Sequence, residues 1–357
     1  MSDAPSIVWF RDDLRIADHP ALHAAIERGA PIICAYVLDE ESPGVRPLGG
    51  AARWWLHGSL TALADALDRH GGRLVLRRGP ADPTYLRDSS GAVWRTTRTD
   101  EGVATLRFTQ SAADVLRCEA WGPGSKAAVA TAPDVLGERD DPTTFTPRIG
   151  LLDDAHRRNP GLRIPRTGRV FESLVPAILE QKVITLQAHE SWRTLVWRFG
   201  DEAPGPTPRR MRVAPSPSRW ASIPSWEWHR AGVDPRRSRT IVNAARYASR
   251  LEEAAGMSTT DAAARLTLMP GVGAWTAAEV AQRAFGDADA LSVGDYHLSN
   301  YLGHALWGRD MTDDEMLEAM TPWAGHRYRV VRLLEAAGVR GRPRRGPRMS
   351  FVDHRAI

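Results

Sequence analysis

A glycine-rich turn in the C-terminal half of the chain has the composition of a phosphate-binding element. The turn reads PGVG (270–273) and joins a short apolar helix to a second, amphipathic helix. Because glycine has no Cβ, backbone N–H groups at the start of the second helix can approach a phosphate closely, and the helix dipole favours its negative charge. The turn therefore predicts contacts to a DNA backbone that do not depend on base sequence. The residues expected to make these contacts are Gly271, Val272, Gly273 and Thr276.

Asp295 follows this turn and is the candidate catalytic carboxylate. A carboxylate beside a sugar can stabilise the positive charge that develops when a C1′–N bond breaks, and it can position or deprotonate water. Aspartate is also a preferred helix N-cap, so the spacing alone leaves catalysis and capping equally open. The helical pattern that Asp295 would cap has apolar residues at Leu298, Tyr301, Leu302, Ala305 and Leu306.

The first 80 residues alternate predicted strands and helices. Strands are predicted at SIVWF (6–10), PIICAYVLDE (31–40) and RLVLRR (73–78), with helices at PALHAAIERG (20–29) and AARWWLHGSLTALADALDRHGG (51–72). This βαβαβ order implies a parallel sheet with crossover helices, which is a partial Rossmann-like segment over residues 1–80.

Turn residues mark a junction after the third strand, and a different pattern follows. Three β segments with partial alternation suggest an antiparallel meander: AVWRTTRT (92–99), VATLRFTQ (103–110) and VLRCEAWG (115–122). SKAAVATAPDVLG (125–137) closes the segment as a predicted helix. We therefore expect a small mixed α/β subdomain over residues 81–150.

Residues 151–349 are predicted to form a mainly helical domain, with a tail at 350–357. Apolar residues with helical spacing from Phe171 onward predict a core helix. Gln181 and Lys182 lie at the end of this apolar stripe, where their side chains can reach toward DNA.

Three other segments of the helical part are polar or basic. A proline-rich stretch, 203–220, is predicted to be an exposed loop. The arginine-rich segment GRPRRGPRM (341–349) is expected to become ordered only on a polyanion. A third group of arginines is by default a solvated helical face rather than a DNA-facing one: Arg236, Arg237, Arg239, Arg246 and Arg250.

The composition bounds the class of protein. With 357 residues, 43% of them hydrophobic and 25% charged, and a net charge of +4, the chain is typical of a soluble protein of two or three domains. No apolar run approaches the roughly 18 residues of a membrane span, and early charges argue against a signal peptide. We expect a cytoplasmic, nucleoid-associated protein without a membrane partner. Cys34 and Cys118 lie in separate predicted strands, which argues against a disulfide framework and against a metal or iron–sulfur site.

The N-terminal segment resembles the antenna-pigment domain of the DNA photolyase and cryptochrome family. The matching words are VWFRDDLRIADHPAL (8–22), AYVLDE (35–40) and RWWLHGSL (53–60). The large helical flavin-binding domain of that family is not visible in the sequence, so no flavin is expected. Light-driven repair of pyrimidine dimers would rest on this segment alone. Its tryptophans are expected to be core and surface aromatics rather than an electron-transfer chain: Trp9, Trp54 and Trp55.

The chain from about residue 81 to residue 349 resembles the helix-hairpin-helix DNA glycosylase superfamily, and within it the 3-methyladenine DNA glycosylase II family. The resemblance implies a mainly α fold and a monomeric, monofunctional enzyme. Such an enzyme flips alkylated purines, such as 3-methyladenine and 7-methylguanine, out of double-stranded DNA and hydrolyses the N-glycosidic bond in base excision repair. The resemblance favours catalysis over capping for Asp295 and implies no required cofactor. It is carried by GLRIPRTGRVFESLVPAILEQ (161–181), PGVGAWTA (270–277), VGDYHL (293–298) and PWAGHRYRVVRLL (322–334).

The same resemblance assigns aromatic residues to a base pocket and argues against a lysine nucleophile. Trp275 matches a pocket tryptophan, which would hold a cationic base by stacking and cation–π forces of about 0.5–2 kcal/mol. Trp323 matches another, and core packing is the alternative for each. In bifunctional relatives a lysine that forms a Schiff base stands where Trp275 stands here, and neither of the two lysines, Lys126 and Lys182, matches that motif. A hydrolase that leaves an abasic site is therefore expected.

The resemblance also implies a wedge residue and a structural cation. The wedge, which fills the gap left by the flipped base, is expected at Gln181 or Lys182, although the nearest relatives usually carry leucine there. The backbone carbonyls of Thr267, Met269 and Val272 are expected to hold a structural Na⁺ or K⁺, with no catalytic metal. A DNA-binding protein that keeps the hairpin but has a closed pocket, and therefore no activity, is the remaining alternative.

Overall fold

The structure is a computed structural model that describes residues 4–38, 48, 50–78, 82–88, 90–112, 115–339 and 341. The chain divides into two compact units, Met1–Ala81 and Asp82–Ile357. The tail at 350–357 and, except for Gly341, the arginine-rich segment 341–349 lie outside the described residues. No helix in the described ranges is both long and apolar enough to cross a membrane.

The first unit is a three-stranded parallel sheet with two helices. Its strands pair in the order β1-β2-β3. The elements are β1 (Ser6–Phe10), α1 (Pro20–Glu27), β2 (Ile32–Leu38), α2 (Gly50–Asp68) and β3 (Leu74–Arg78). Val8, Phe10 and Cys34 point from the sheet into a core that Leu63 and Leu67 of α2 complete. This order of elements confirms the predicted βαβαβ pattern. The pattern could be predicted because strand alternation and helix periodicity are both visible in the local sequence.

Alternate residues of the same strands point to the opposite, solvent-facing side of this sheet. Ile7 is 69% exposed and Trp9 is 58% exposed. On α2, Trp54 and Trp55 are 74% and 72% exposed. These three tryptophans are therefore surface aromatics.

The second unit begins with a four-stranded antiparallel sheet of order β4-β5-β6-β7. The predicted meander is confirmed as β5 (Val93–Thr99), β6 (Gly102–Ala112) and β7 (Val115–Trp121). The structure adds β4 (Tyr85–Arg87), which pairs with β5 and lies among the residues that the sequence marked only as turn. In place of the single helix predicted after the meander, the structure has two short helices. The first ends at Ala130 and the second begins at Ala132, with Thr131 between them and Pro133 in the first turn of the second helix.

Helices make up most of the second unit. Those before the hairpin are α3 (Ser125–Ala130), α4 (Ala132–Val135), α5 (Gly150–Arg158), α6 (Val170–Leu179), α7 (Thr185–Phe199), α8 (Pro217–Ala221), α9 (Ser225–Arg230), α10 (Pro235–Arg246) and α11 (Ala248–Glu252). The remaining ones are α12 (Thr259–Thr267), α13 (Ala274–Val280), α14 (Leu298–Leu302), α15 (Asp313–Ala319) and α16 (Arg327–Ala336). Short π-helical turns continue α13 over Ala281–Phe285 and α14 over Gly303–Trp307.

Helix α6 is central to this unit and is fixed at its start. Glu252 accepts the backbone N–H groups of Val170 and Phe171, each at 2.9 Å. The Glu172 carboxylate accepts hydrogen bonds from the side chains of Arg95 and Thr97 in β5, each at 2.7 Å, and these bonds connect the helix to the sheet. The predicted core stripe is confirmed, since Phe171, Leu174, Val175, Ile178 and Leu179 are buried. These contacts fix the position of α6, whose C-terminal end lies beside the hairpin.

One prediction about an exposed segment is wrong, and a second holds for four of its five residues. The stretch 203–220 is not simply an exposed loop, because Met211, Val213 and Trp220 are buried and residues 201–202 pair with 212–213 as strands β8 and β9. Met211 packs against Trp94 of the antiparallel sheet, a contact that local proline content does not reveal. Arg237 is also buried, because it pairs with Asp234 and donates to the carbonyl of Leu179. The other four arginines of that group are exposed.

Candidate active site

The glycine turn between α12 and α13 packs against the body of the protein on one side. The N–H of Val272 donates to the carbonyl of Met269 at 2.9 Å and closes the turn. Gly271 has a φ of +90°, and a Cβ at this position would lie 2.3 Å from the Oγ1 of Thr240 in α10. Glycine is therefore required at 271 by internal packing as well as by backbone conformation. Leu268, which follows the last residue of α12 and belongs to the segment predicted as a short apolar helix, is 83% exposed.

The other glycine of the turn faces open space. Gly273 is the N-cap of α13, it has an extended backbone, and no side chain caps the helix. Among the described residues, no atom outside the immediate chain neighbours lies within 4 Å of a Cβ built at Gly273. The first N–H groups of α13 therefore lack a side-chain partner next to an exposed glycine, which is the arrangement that a backbone phosphate contact needs.

Asp295 and Trp275 are in direct contact. The indole N–H of Trp275 donates to Oδ2 of Asp295 at 3.2 Å. The other carboxylate oxygen, Oδ1, accepts the backbone N–H groups of His297 at 2.8 Å and Leu298 at 3.0 Å, at the start of α14. Asp295 therefore binds the backbone before and at the start of α14 with one oxygen and contacts the hairpin tryptophan with the other. The N-cap residue of α14 is His297 rather than Asp295, and the catalytic role of Asp295 stays a prediction.

The loop that carries Asp295 is fixed from both sides. Gln282 donates to the carbonyl of Ala290 and to Oγ of Ser292, both at 2.9 Å. Ser292 in turn donates to Glu279 of α13. On the other side, Asp313 accepts the N–H of Gly294 at 2.9 Å. Glu279 and Trp275 lie on the same helix, α13. These bonds therefore fix the position of the Asp295 loop relative to Trp275.

A cluster of ionisable side chains adjoins this pair, and the sequence reasoning missed it. Glu279 and Arg283 follow Trp275 at helical spacing, and Arg283 donates to Glu279. Burial raises the pKa of Glu180 at the end of α6; the charge of Arg283 opposes this, and the charges of Glu279 and Asp295 add to it. Burial also raises the pKa of the Tyr328 hydroxyl. In the sequence, only the helical spacing of Glu279 and Arg283 from Trp275 could have indicated this cluster. Glu180 and Tyr328 belong to segments that are distant in sequence.

Two residues predicted to contact DNA are hydrogen-bonded within the protein. Gln181 donates to the carbonyl of Gly271 at 3.0 Å and to Oγ1 of Thr276 at 2.9 Å. Thr276 is only 2% exposed, so its side chain faces inward rather than toward DNA. Lys182 is exposed and has a φ of +55°, in the left-handed region that is uncommon for lysine.

The base-pocket role predicted for Trp323 is corrected by the structure. Trp323 is 4% exposed and belongs to the core cluster formed with Leu152, Met316 and Val330. Its indole N–H donates to the backbone carbonyls of Thr146 and Pro147, both at 3.1 Å. The core-packing alternative therefore holds for Trp323, whereas Trp275 is partly exposed next to a carboxylate.

The predicted cation site is built from backbone carbonyls, and one of them is already engaged. The Met269 carbonyl accepts the Val272 N–H, which leaves it one further lone pair. Thr267 and Val272 flank it in the same turn, and a Na⁺ or K⁺ at these three carbonyls stays a prediction. Among the residues described, no group of three or more His, Cys, Asp or Glu side chains is arranged to hold a metal ion.

Comparison with known proteins gives two separate likenesses along the chain. Residues 6–104 match the DNA photolyase family model. The deoxyribodipyrimidine photo-lyase of Agrobacterium fabrum is 50% identical over 111 residues, which cover 29% of this chain and 22% of the relative. The match ends beyond the first unit, within β6, where the sheet is antiparallel.

The second likeness is to DNA glycosylases. A protein of Mycobacterium tuberculosis described as a probable bifunctional transcriptional activator/DNA repair enzyme AlkA is 32% identical over 165 residues, covering 44% of this chain and 32% of the relative. The solved structure of a 3-methyladenine DNA glycosylase from Archaeoglobus fulgidus superposes with a TM-score of 0.58 at 19% identity, over 70% of this chain and 87% of that one. The chain thus spans about a third or less of these two curated relatives, and its second unit has the helix-hairpin-helix glycosylase fold that the sequence predicted.

Proposed function

We propose that the chain is a monofunctional DNA glycosylase that removes alkylated purines from double-stranded DNA by hydrolysis and leaves an abasic site. The observation that carries the proposal is the contact between Trp275 and Asp295, which joins the hairpin to the candidate carboxylate. The glycosylase fold and the partial identity to a probable DNA repair enzyme support it.

In the proposed reaction the hairpin holds the backbone of DNA while one nucleotide leaves the duplex. The N–H groups that follow Gly273 bind a phosphate, and the target base is flipped out so that its sugar reaches Asp295. Lys182, which is exposed beside the hairpin-bound Gln181, is the wedge that fills the vacated space. Gln181 fits the wedge role less well because its amide is already bonded to the turn.

Bond cleavage then depends on the carboxylate. As the C1′–N bond breaks, its electron pair stays with the base, and positive charge grows on the sugar, where Asp295 stabilises it. Water adds to C1′ and gives up a proton to the carboxylate. A purine alkylated at a ring nitrogen carries a positive charge before cleavage, so that it departs as a neutral molecule. The face of Trp275 is the proposed contact for that cationic base.

The proposal is tested by release of 3-methyladenine and 7-methylguanine from methylated duplex DNA by the full chain. The Asp295→Asn variant keeps the shape of the side chain but lacks its charge, and we expect a loss of at least about 10²-fold in rate, the size usual for removing a preorganised electrostatic group. Asp153→Asn, at an exposed carboxylate paired with Arg157, is the matched control and should be unaffected.

Equal activity of Asp295→Asn and the natural chain would contradict the catalytic assignment. Salt-dependent binding of duplex DNA without release of any base would instead favour the non-catalytic DNA-binding alternative.

A further inference from the structure

Glu180 stands at the junction between α6 and the hairpin. It follows the last residue of α6, and its chain neighbour Gln181 is bonded to both Gly271 and Thr276. Thr276 follows Trp275, whose indole donates to Asp295. A short chain of covalent and hydrogen bonds therefore connects the Glu180 backbone to the candidate catalytic carboxylate.

The two carboxyl groups have different surroundings. Asp295 accepts three N–H groups, one from Trp275 and two from the backbone. Within the part of the chain that the structure describes, the Glu180 carboxyl accepts no hydrogen bond and forms no ion pair, although it is only partly exposed. Two carboxyls in such contrasting environments are the arrangement by which one site divides an ionised role from an acid role.

The charges of groups from two other elements act on the Glu180 carboxyl. Glu279 and Arg283 face it from α13 and its π-helical continuation, and Asp295 faces it from the loop before α14. Arg237 of α10 binds the carbonyl of Leu179, the residue before it. Of the two guanidinium groups, that of Arg283 is bonded to Glu279, and that of Arg237 is bonded to Asp234 and the Leu179 carbonyl. The charges of Glu279 and Asp295 therefore favour a proton on Glu180, the carboxyl that has no partner among the described residues.

On the basis of the proposed glycosylase function, we propose that Glu180 is a general acid that protonates a neutral damaged purine as it leaves, and so extends the substrate range beyond cationic bases. Its carboxylic acid gives a proton to a ring nitrogen of the flipped base while the C1′–N bond breaks and the bond electrons pass to the base. Water adds to C1′ and its proton goes to Asp295. The base departs neutral, and Glu180 regains its proton from solvent. The reaction is hydrolysis throughout and needs no further reactant.

The proposal separates two classes of substrate. A cationic base such as 7-methylguanine is already a good leaving group, so a proton from Glu180 adds little. A neutral base such as hypoxanthine must gain a proton to leave as a stable molecule, and positioned acids contribute on the order of 10²-fold or more to such steps. Glu180 therefore acts on one class and not on the other.

The experiment compares the full chain with its Glu180→Gln variant on two duplexes, one with a 7-methylguanine and one with a deoxyinosine. We expect the variant to release 7-methylguanine within about threefold of the natural chain and to lose about 10²-fold on hypoxanthine. Glu253→Gln, at an exposed glutamate paired with Arg265, is the control and should match the natural chain on both substrates.

The pH dependence adds a readout that a merely structural role would not change. Burial holds the pKa of Glu180 above its ordinary value, so the group stays protonated to a higher pH than a free glutamate. The rate of hypoxanthine release by the natural chain should fall as the pH rises through the pKa of Glu180. The Glu180→Gln variant should not show this decrease. The rate of 7-methylguanine release should not show this decrease in either protein.

Three results would overturn the acid role: no hypoxanthine release by the natural chain, an equal loss on both substrates in Glu180→Gln, or no loss on either. Absence of release of any base by the natural chain, 7-methylguanine included, would instead reject the glycosylase function. The 7-methylguanine duplex therefore keeps the two failures distinguishable.

Discussion

At the scale of single residues, the contact between Trp275 and Asp295 gives the tryptophan two separable functions. Its ring face is the proposed surface for a flipped base, and its indole N–H holds one oxygen of the carboxylate. A family resemblance suggested only the first function. The second required the side-chain positions, because an indole hydrogen bond across 20 residues leaves no spacing pattern in the sequence.

The Trp275→Phe variant separates these functions, because phenylalanine keeps an aromatic face and loses the N–H donor. A hydrogen bond to a charged group contributes about 1.5–3 kcal/mol, so we expect roughly a 10- to 100-fold loss in base release, measured in single-turnover reactions on methylated duplex DNA. Trp226→Phe is the control, at an indole that is 64% exposed on α9. A rate for Trp275→Phe equal to that of the control would show that the bond has no role in the reaction.

At the scale of elements, the hairpin turn depends on one glycine for its shape and on the other for its open surface. Gly271 adopts a φ of +90° with no room for a Cβ next to Thr240, whereas Gly273 has open space. The sequence assigned both glycines to phosphate approach. The structure shows that the first also lets the turn lie against α10.

Gly271→Ala should therefore destabilise the fold. The left-handed backbone alone costs about 1–2 kcal/mol, and the contact with Thr240 adds to it. Urea unfolding of the full chain measures the loss, and Thr240→Ala in the Gly271→Ala background should recover the steric part but not the backbone part. Gly273→Ala is the comparison and should change stability little. An unchanged unfolding midpoint for Gly271→Ala would contradict the internal packing of the turn.

The elements that the sequence predicted correctly are those with local signals. The strands of both larger sheets, except β4, and the core stripe of α6 follow from alternation and helical periodicity. Strand β4 was missed although it pairs with the neighbouring strand β5, because its three residues lie within a stretch rich in turn residues. The burial of Met211 was missed because its partner Trp94 is far away in sequence. The neighbours of Glu180 were missed for the same reason, since they come from segments far apart in sequence. The sequence left the base pocket and core packing open for Trp323, because the residues that surround it are also distant in sequence.

At the scale of the whole molecule, each unit has its own hydrophobic core. The first is built from the parallel sheet and α1 with α2, and the second contains the hairpin, Asp295 and their supports. The likeness to photolyases begins in the first unit, while the glycosylase fold belongs to the second. Residues proposed for the reaction all come from the second unit.

A chain that begins at Asp82 should therefore keep base release from methylated DNA within about threefold of the full chain, because a unit with its own core can fold alone. Base release and thermal unfolding of both chains test this. A soluble, folded fragment with no activity would show that the first unit takes part in the reaction. Asp295→Asn in the fragment is the control for background release.

The outward face of the parallel sheet has a colloidal consequence. Both helices that pack on this sheet contribute to the core on one side, which leaves Ile7 and Trp9 exposed on the other, and β1 and β3 are its two edge strands. Apolar patches and open strand edges promote association between molecules as protein concentration rises. We therefore expect this face of the first unit to promote association between molecules when the protein is concentrated.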